Sequence, residues 1–347
     1  SADQVAGIYV GAAKRPIGLA AVGRGGEVRA TARIAPTAGW SNRVQAWLTS
    51  ESVTHVVLPT QAPAQEVLRE LRSRLGQGFT VVAVEADWPD AARIDAHVRH
   101  RQPTGPRFEA FDRFPTWMWR NTDVRTFVDW LHDHNAGVSD PLRRVSFHGL
   151  DIYSLFRSRD AVLDHLDRVD AQAAALARTR YSCLTPWEHD PASYGRAVLT
   201  AGLASCETAV VSTLTDLLRR RLEYAAELGD HFIDAAQNAL IVANAERYYR
   251  VMYHGSTESW NLRDLHMFET LQMIRSRRGP DAKVVVWEHN SHIGDASATE
   301  MGARGEHNVG MLARRAYGDS AFLVGFGTHD GVVAAAADWG GPMQRMD

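Results

Sequence analysis

From Val56 onward, short β-branched runs alternate with longer stretches whose apolar residues recur every three or four positions. That order predicts a parallel sheet with crossover helices. Val56-Val-Leu58 reads as a strand, Ala64 to Leu75 has helical periodicity, and Thr80 to Val84 is again a strand, ending in Glu85. Trp119 to Asn135 puts Val124, Phe127, Val128 and Leu131 on one helical face. A third strand over Arg144 to Phe147 runs into His148-Gly-Leu-Asp151, and strand signals return at Lys283 to Trp287 and Phe322 to Phe326. Ser158 to Tyr181 and Tyr194 to Gly255 are helical in pattern almost throughout, with Pro186 and Pro191 punctuating the gap. The first 55 residues are Gly- and Ala-rich and predict one or two strands, from Gly7 to Val10 and Ile17 to Val22.

The expected fold is therefore α/β, a mostly parallel central sheet flanked by helices. A large helical portion is expected to cover the C-terminal edge of the sheet. One domain over residues 1–347 is expected: 1–55 as a divergent N-terminal part, 56–150 and 280–335 sheet-forming, 155–280 mainly helical.

Open parallel sheets bind ligands outside the carboxyl ends of their strands, so what each strand delivers there matters. After Val81-Val-Ala-Val84 come Glu85 and Asp87; the next strand delivers His148 and Asp151; the last delivers Thr328, His329 and Asp330. The richest segment is Val284-Val-Val-Trp-Glu-His-Asn-Ser-His-Ile-Gly-Asp295, which sends a buried strand into His289 and His292 with Asn290 and Asp295 beside them. Histidine titrates nearest neutral pH, and a buried carboxylate beside an imidazole makes an acid–base pair. Each feature also has a plainer reading: a satisfied loop histidine, acids that cap the helix at Asp90, and an aromatic cluster at Phe114-Pro-Thr-Trp-Met-Trp119 that is simply core. Arg263, Asp264 and His266 share a helix, where a salt-bridged face explains them as well as substrate contact does. His289-x-x-His292 lacks the i, i+4 spacing and the intervening Glu of helical zinc sites, so no metal and no other cofactor is expected. No convincing phosphate loop and no Gly-x-Ser-x-Gly elbow is present.

A net charge of −3 gives no electrostatic case for nucleic acid or an anionic membrane surface. No apolar stretch approaches the roughly 20 residues that span a bilayer, and Ser1-Ala-Asp-Gln lacks the features of a leader peptide. Cys183 and Cys206 are the two cysteines, without metal spacing, so a reduced, cytoplasmic protein is expected. The expected partner is a small-molecule substrate; oligomeric state is not legible.

Five segments, taken together and in order, resemble the erythromycin esterase family (erythromycin esterase-like and succinoglycan biosynthesis-like proteins). They are Val82-Ala-Val-Glu-Ala-Asp-Trp-Pro-Asp90, Arg113-Phe-Pro-Thr-Trp-Met-Trp-Arg-Asn121, Gly149-Leu-Asp-Ile-Tyr-Ser154, Ser259-Trp-Asn-Leu-Arg-Asp264 and Val284 to Asp295. The match runs from about Thr80 to Trp339, roughly three quarters of the chain. The resemblance implies an α/β fold with a large helical portion and a deep cleft. It also implies hydrolysis of macrolide lactones by a histidine base on water, supported by Glu and further His, without a covalent intermediate. Carried over, Glu85 matches the family's strand-end glutamate, and His289 and His292 its paired late histidines. Arg120, Asp151, Arg263 and His266 match positions that line the cleft, and Asp87 is expected to join them in substrate contact.

One departure is decisive. The family places Gly-Glu-x-x-His after its first sheet strand, and that histidine is the water-activating base. Here Val56-Val-Leu58 is followed by Pro59-Thr-Gln-Ala-Pro-Ala-Gln65, with neither acid nor histidine. General acid–base catalysis is worth about 10²- to 10⁴-fold. Three accounts follow: an enzyme repurposed to elimination, cyclisation, isomerisation or group transfer through Glu85, His289 and His292; a hydrolase with His289 or His292 as base; or a non-catalytic binding or partner subunit. Retention of the other polar strand ends favours the first.

Overall fold

The computed structural model describes residues 72, 75, 78–101, 110–111, 113, 115–220, 230–279, 281–325, 333–337 and 341–346, and the backbone of strands 5–9, 17–22, 28–34 and 56–59. The N-terminal strands are β1 (Val5–Tyr9), β2 (Ile17–Val22) and β3 (Val28–Ile34), paired antiparallel in that order. The expectation of one or two strands missed the third, although Val28-Arg-Ala-Thr-Ala-Arg-Ile34 alternates apolar and polar positions throughout, which is a strand pattern.

The central sheet comprises β4 (Val56–Pro59), β5 (Phe79–Asp87), β6 (Ser146–Asp151) and β7 (Lys283–Glu288), in the order β4-β7-β5-β6. β7 pairs parallel with both β4 and β5, bringing Trp287 opposite Leu58 and Val84. This is the α/β arrangement the alternation predicted. Helix α1 (Trp88–Val98) follows β5, and α2 (Thr122–Ala136) follows a 3-10 turn over Thr116–Met118. Asn121 Oδ1 accepts from the Val124 N–H at 2.9 Å, so α2 begins at 122 and not at Trp119 as its periodicity suggested. Ala91, Ile94 and Val98 of α1 and Val124, Phe127, Val128 and Leu131 of α2 bury against Val82, Val84, Phe147, Val285 and Trp287 of the sheet. Each of the Val, Ile, Leu and Phe side chains contributes about 1.5–3 kcal/mol.

β6 starts later than its pattern suggested, and the reason is local. Asn135, wholly buried, accepts the Val145 N–H at 2.8 Å and donates Nδ2 to the carbonyls of Val145 and Val98. Arg278 takes the Arg144 carbonyl at 2.9 Å. With both residues occupied, the ladder runs from Ser146 to Asp151, and His148 lies inside the strand instead of at its end. The expected strand at Phe322 to Phe326 is reduced, over residues 321–325, to a single bridge at Leu323; the exposed Gly325 has no side chain to pack. Phe326, Thr328, His329 and Asp330 lie outside the described residues, as does most of the helix expected over 64–75. A short antiparallel pair follows, β8 (Val333–Ala335) with β9 (Gln344–Met346).

The chain divides into two compact units, one of residues 1–86, 90–150 and 268–347 and the other of 87–89 and 151–267. The second is helical: α3 (Leu155–Val169), α4 (Ala171–Tyr181), α5 (Pro191–Ala201), α6 (Glu207–Arg219), α7 (Asp230–Val251) and the first half of α8 (Ser256–Arg278). At its centre the Tyr194 hydroxyl donates to the buried Glu246 and accepts the Cys206 N–H at 2.8 Å, while Arg250 links Glu246 to Glu207. α5 and α7 touch so closely at Gly195 that a Cβ there would overlap the Tyr249 carbonyl.

Cys183 and Cys206, expected as reduced thiols, form a disulfide. The helical turns between them fold the chain back until their Cα atoms are 6.0 Å apart, inside disulfide range, a proximity that a spacing of 23 residues does not reveal. No helix among the described residues is long and apolar enough to cross a membrane.

Candidate active site

β5 remains buried through Glu85 and Asp87, which are 6% and 4% exposed. Because β5 and β7 are adjacent and parallel, their carboxyl ends emerge together, and Glu85 meets the segment that follows Glu288. His289 is extended and caps a single turn, α9 (Asn290–Ile293). Its backbone N–H donates to Glu85 Oε2 at 2.9 Å. His292, one turn on and 2% exposed, sets its Nε2 3.4 Å from Glu85 Oε1. The carboxylate therefore faces a fixed amide on one oxygen and an imidazole on the other. The Trp119 indole N–H donates to the Glu85 backbone carbonyl at 2.7 Å. Trp119 is packed edge-on against Trp287 in the core, with ring centroids 5.0 Å apart. Of the aromatic cluster, Trp119 is core, and it also fixes the strand end.

The His289 ring is held by Ser291, whose hydroxyl lies 2.8 Å from Nδ1 and whose backbone N–H donates to the same nitrogen at 3.2 Å. Asn308, buried ahead of α11 (Val309–Tyr317; the short α10, Glu300–Ala303, precedes it), donates to the Ser291 carbonyl at 2.7 Å. Its Oδ1 accepts the N–H groups of Ala296 and Met311. Gly310 approaches so closely that a Cβ would overlap the carbonyl oxygens of Ile293 and Gly294. Sequence reasoning missed Ser291 and Asn308. The one available signal was Asn308 before an apolar helical run, a capping pattern. Asp295, flagged beside the histidines, instead caps the following 3-10 turn through the Ser297 N–H and hydroxyl.

A second group lies in the helical unit. Arg263 of α8 forms a two-pronged bond to Asp151, Nε to Oδ1 and Nη2 to Oδ2, both 2.8 Å. Its guanidinium sits 4.8 Å over the Tyr153 ring, and the Tyr153 and Tyr248 hydroxyls are 3.0 Å apart. Burial raises the Tyr153 hydroxyl well above its usual range, against the opposing pull of Arg263. His266, one turn along α8 and 1% exposed, has Nδ1 2.9 Å from Asn244 Nδ2. Burial pushes its pKa down to about 4, with Asp151 acting weakly the other way. Arg263 and His266 are therefore interior groups, not an exposed salt-bridged face.

Among the sequence candidates, the structure brings together Glu85, His289 and His292 in the first unit, and Asp151, Arg263 and His266 in the second. Asp87 is buried in the second unit. Arg120 stands apart, exposed on the turn before α2. His148, expected at a strand end, is mid-strand; burial pushes it down to about 4, opposed by Asp95, whose carboxylate accepts the Phe147 N–H at 2.9 Å. Among the described residues no group of three or more His, Cys, Asp or Glu is placed to hold a metal ion.

Solved structures share this fold. A crystal structure of a succinoglycan biosynthesis protein matches with a TM-score of 0.61 and 16% identity, covering 82% of this chain and 68% of that one. A protein from Bacillus cereus matches with a TM-score of 0.64 and 16% identity, over 88% and 78%. A mutant of the erythromycin esterase EreC in its open conformation matches with a TM-score of 0.61 and 13% identity, over 88% and 79%. The sequence profile described as erythromycin esterase matches residues 76–347. With the strand-end Glu85 and the paired late histidines inside that match, the chain belongs to the erythromycin esterase family.

Proposed function

We propose that this chain is an enzyme that moves protons on a polar small molecule, with Glu85 and His292 as its acid–base pair, and that it has departed from water-activated ester hydrolysis. The observation that supports this best is the Glu85 carboxylate, 3.4 Å from His292 Nε2 and anchored at 2.9 Å by the His289 N–H. A carboxylate that already faces an imidazole exchanges a proton with little rearrangement, and positioned groups of this kind contribute about 10²- to 10⁴-fold. The segment after β4, where relatives carry Gly-Glu-x-x-His, begins Pro59-Thr-Gln-Ala-Pro-Ala-Gln65. The site thus keeps groups that shuttle a proton and lacks the one that activates water. Elimination, cyclisation, isomerisation and group transfer on a polyoxygenated biosynthetic intermediate fit that set.

Incubation with erythromycin and with 4-nitrophenyl acetate in heavy-oxygen water tests the departure from hydrolysis. The expected result is no protein-dependent entry of solvent oxygen into product. A panel of polyhydroxylated lactones and sugar acids, screened by thermal shift and then incubated in heavy water, tests the proton transfer. Deuterium is expected at a ligand carbon, and Glu85→Gln and His292→Asn each slow its entry at least 100-fold. Heavy oxygen entering product at a rate that collapses in Glu85→Gln overturns the departure from hydrolysis.

A further inference from the structure

In sequence the two late histidines are equivalent candidates for a base, yet their surroundings differ. A backbone amide can only donate. The Ser291 N–H lies 3.2 Å from His289 Nδ1 with the geometry of a hydrogen bond, so Nδ1 must supply a lone pair. The Ser291 hydroxyl, 2.8 Å from the same atom, then also donates. A neutral imidazole has one N–H and one lone pair. With the lone pair committed at Nδ1, the proton sits on Nε2. The arrangement does not depend on a mobile side chain alone. His289 is the capping residue of α9, its own N–H is tied to Glu85, and the Ser291 carbonyl is tied to Asn308 at 2.7 Å.

We infer that Ser291 locks His289 as a hydrogen-bond donor, with Nε2–H presented to a substrate oxygen that gains negative charge, while the proton transfer itself belongs to Glu85 and His292. The inference rests on the reading of this site as an acid–base centre and narrows it. The substrate class is one whose reacting carbon or oxygen lies next to a carbonyl, carboxyl or developing alkoxide that Nε2–H can hold. Proton abstraction next to a carbonyl, the first step of elimination or isomerisation, has that requirement: as the proton leaves carbon, charge collects on the carbonyl oxygen, and it returns when the proton is delivered. To act as base at Nε2, His289 would need its proton on Nδ1, which faces the Ser291 N–H. Ser291 is a positioning residue.

Nitrogen-15 spectra of histidine-labelled protein, with His289 assigned by its loss in His289→Gln, test the tautomer directly. The expected pattern at pH 8 is a protonated Nε2 and a lone-pair Nδ1. In Ser291→Ala the Nδ1 signal moves downfield as one hydrogen bond is lost, and Ser291→Thr restores it. A protonated Nδ1 in the wild-type protein overturns the assignment. These spectra need no turnover, so a failure here is distinct from failure of the acid–base reading. Once a substrate is in hand, His289→Gln, which keeps an N–H donor and cannot act as base, is expected to lose about tenfold in kcat. His289→Ala loses about 10²- to 10³-fold, the usual effect of removing one such donor. Equal losses in the two variants, matching that of Glu85→Gln, show His289 to be a base and sink the donor role.

Discussion

His266 offers the sharpest test of how the helical unit holds its ionisable groups. Its ring is 1% exposed, and its Nε2 has no hydrogen-bond partner among the described residues. A charge there has little to stabilise it, and burial holds the folded pKa at about 4, below the unfolded value of 6.5. The unfolded chain therefore binds more protons than the folded one between those limits. The stability that His266 confers as a neutral group is fully present above about pH 6.5 and is lost as the pH falls toward 4. Between pH 7 and pH 5 the loss amounts to about 2 kcal/mol. His266→Asn removes the titration and keeps an oxygen able to accept from Asn244. Urea unfolding, followed by circular dichroism at the two pH values, compares the proteins. The wild type is expected to lose about 2 kcal/mol more than the variant. Parallel losses would refute the reasoning, because they mean that the ring takes up its proton without penalty in the folded state.

Three further outcomes are expected. Gly310→Ala forces the turn carrying Ile293 and Gly294 to move, costs about 1–3 kcal/mol in urea unfolding, and shifts the His292 ring resonances; unchanged resonances contradict the close contact. Reduction of Cys183–Cys206, or Cys206→Ser, releases a loop of 23 residues and lowers stability by about 3 kcal/mol; an unchanged urea midpoint in reductant tells against the bond's structural role. Arg263→Leu strands the buried Asp151 carboxylate at a cost of about 3–5 kcal/mol, and the double variant with Asp151→Leu costs less than the two single variants summed, which a double-mutant cycle measures.

The positions of the strands were legible because β5 and β7 are dense in Val and flanked by polar residues, and Glu85, His289 and His292 could be found because they terminate those strands. Their pairing needed the sheet order, since Glu85 and His292 are brought together only when β7 lies beside β5. The bounds of β6 were not legible: whether Val145 joins the ladder is decided by Asn135, ten residues away, whose amide offers that backbone better partners. The disulfide and the Asp151–Arg263 pair were missed for the same reason. Each depends on helical turns that bring distant residues together, and local periodicity carries no record of that.

Without the Gly-Glu-x-x-His segment, the groups that remain still hold one another through bonds among the described residues. β4 still pairs with β7, Pro59 opposite Glu288, so the sheet edge persists without the motif's acid and base. Glu85 is held by the His289 N–H and by Trp119 through its own carbonyl; His289 is held by Ser291; and the turn below them is held by Asn308. Each of these bonds joins β5, β7 or the segments that follow β7 and α1. A constellation whose members orient one another can outlive a missing member, provided that the reaction no longer asks for the missing role. In the function proposed above, water activation is that role, and proton transfer with oxygen stabilisation is what falls to the groups that remain.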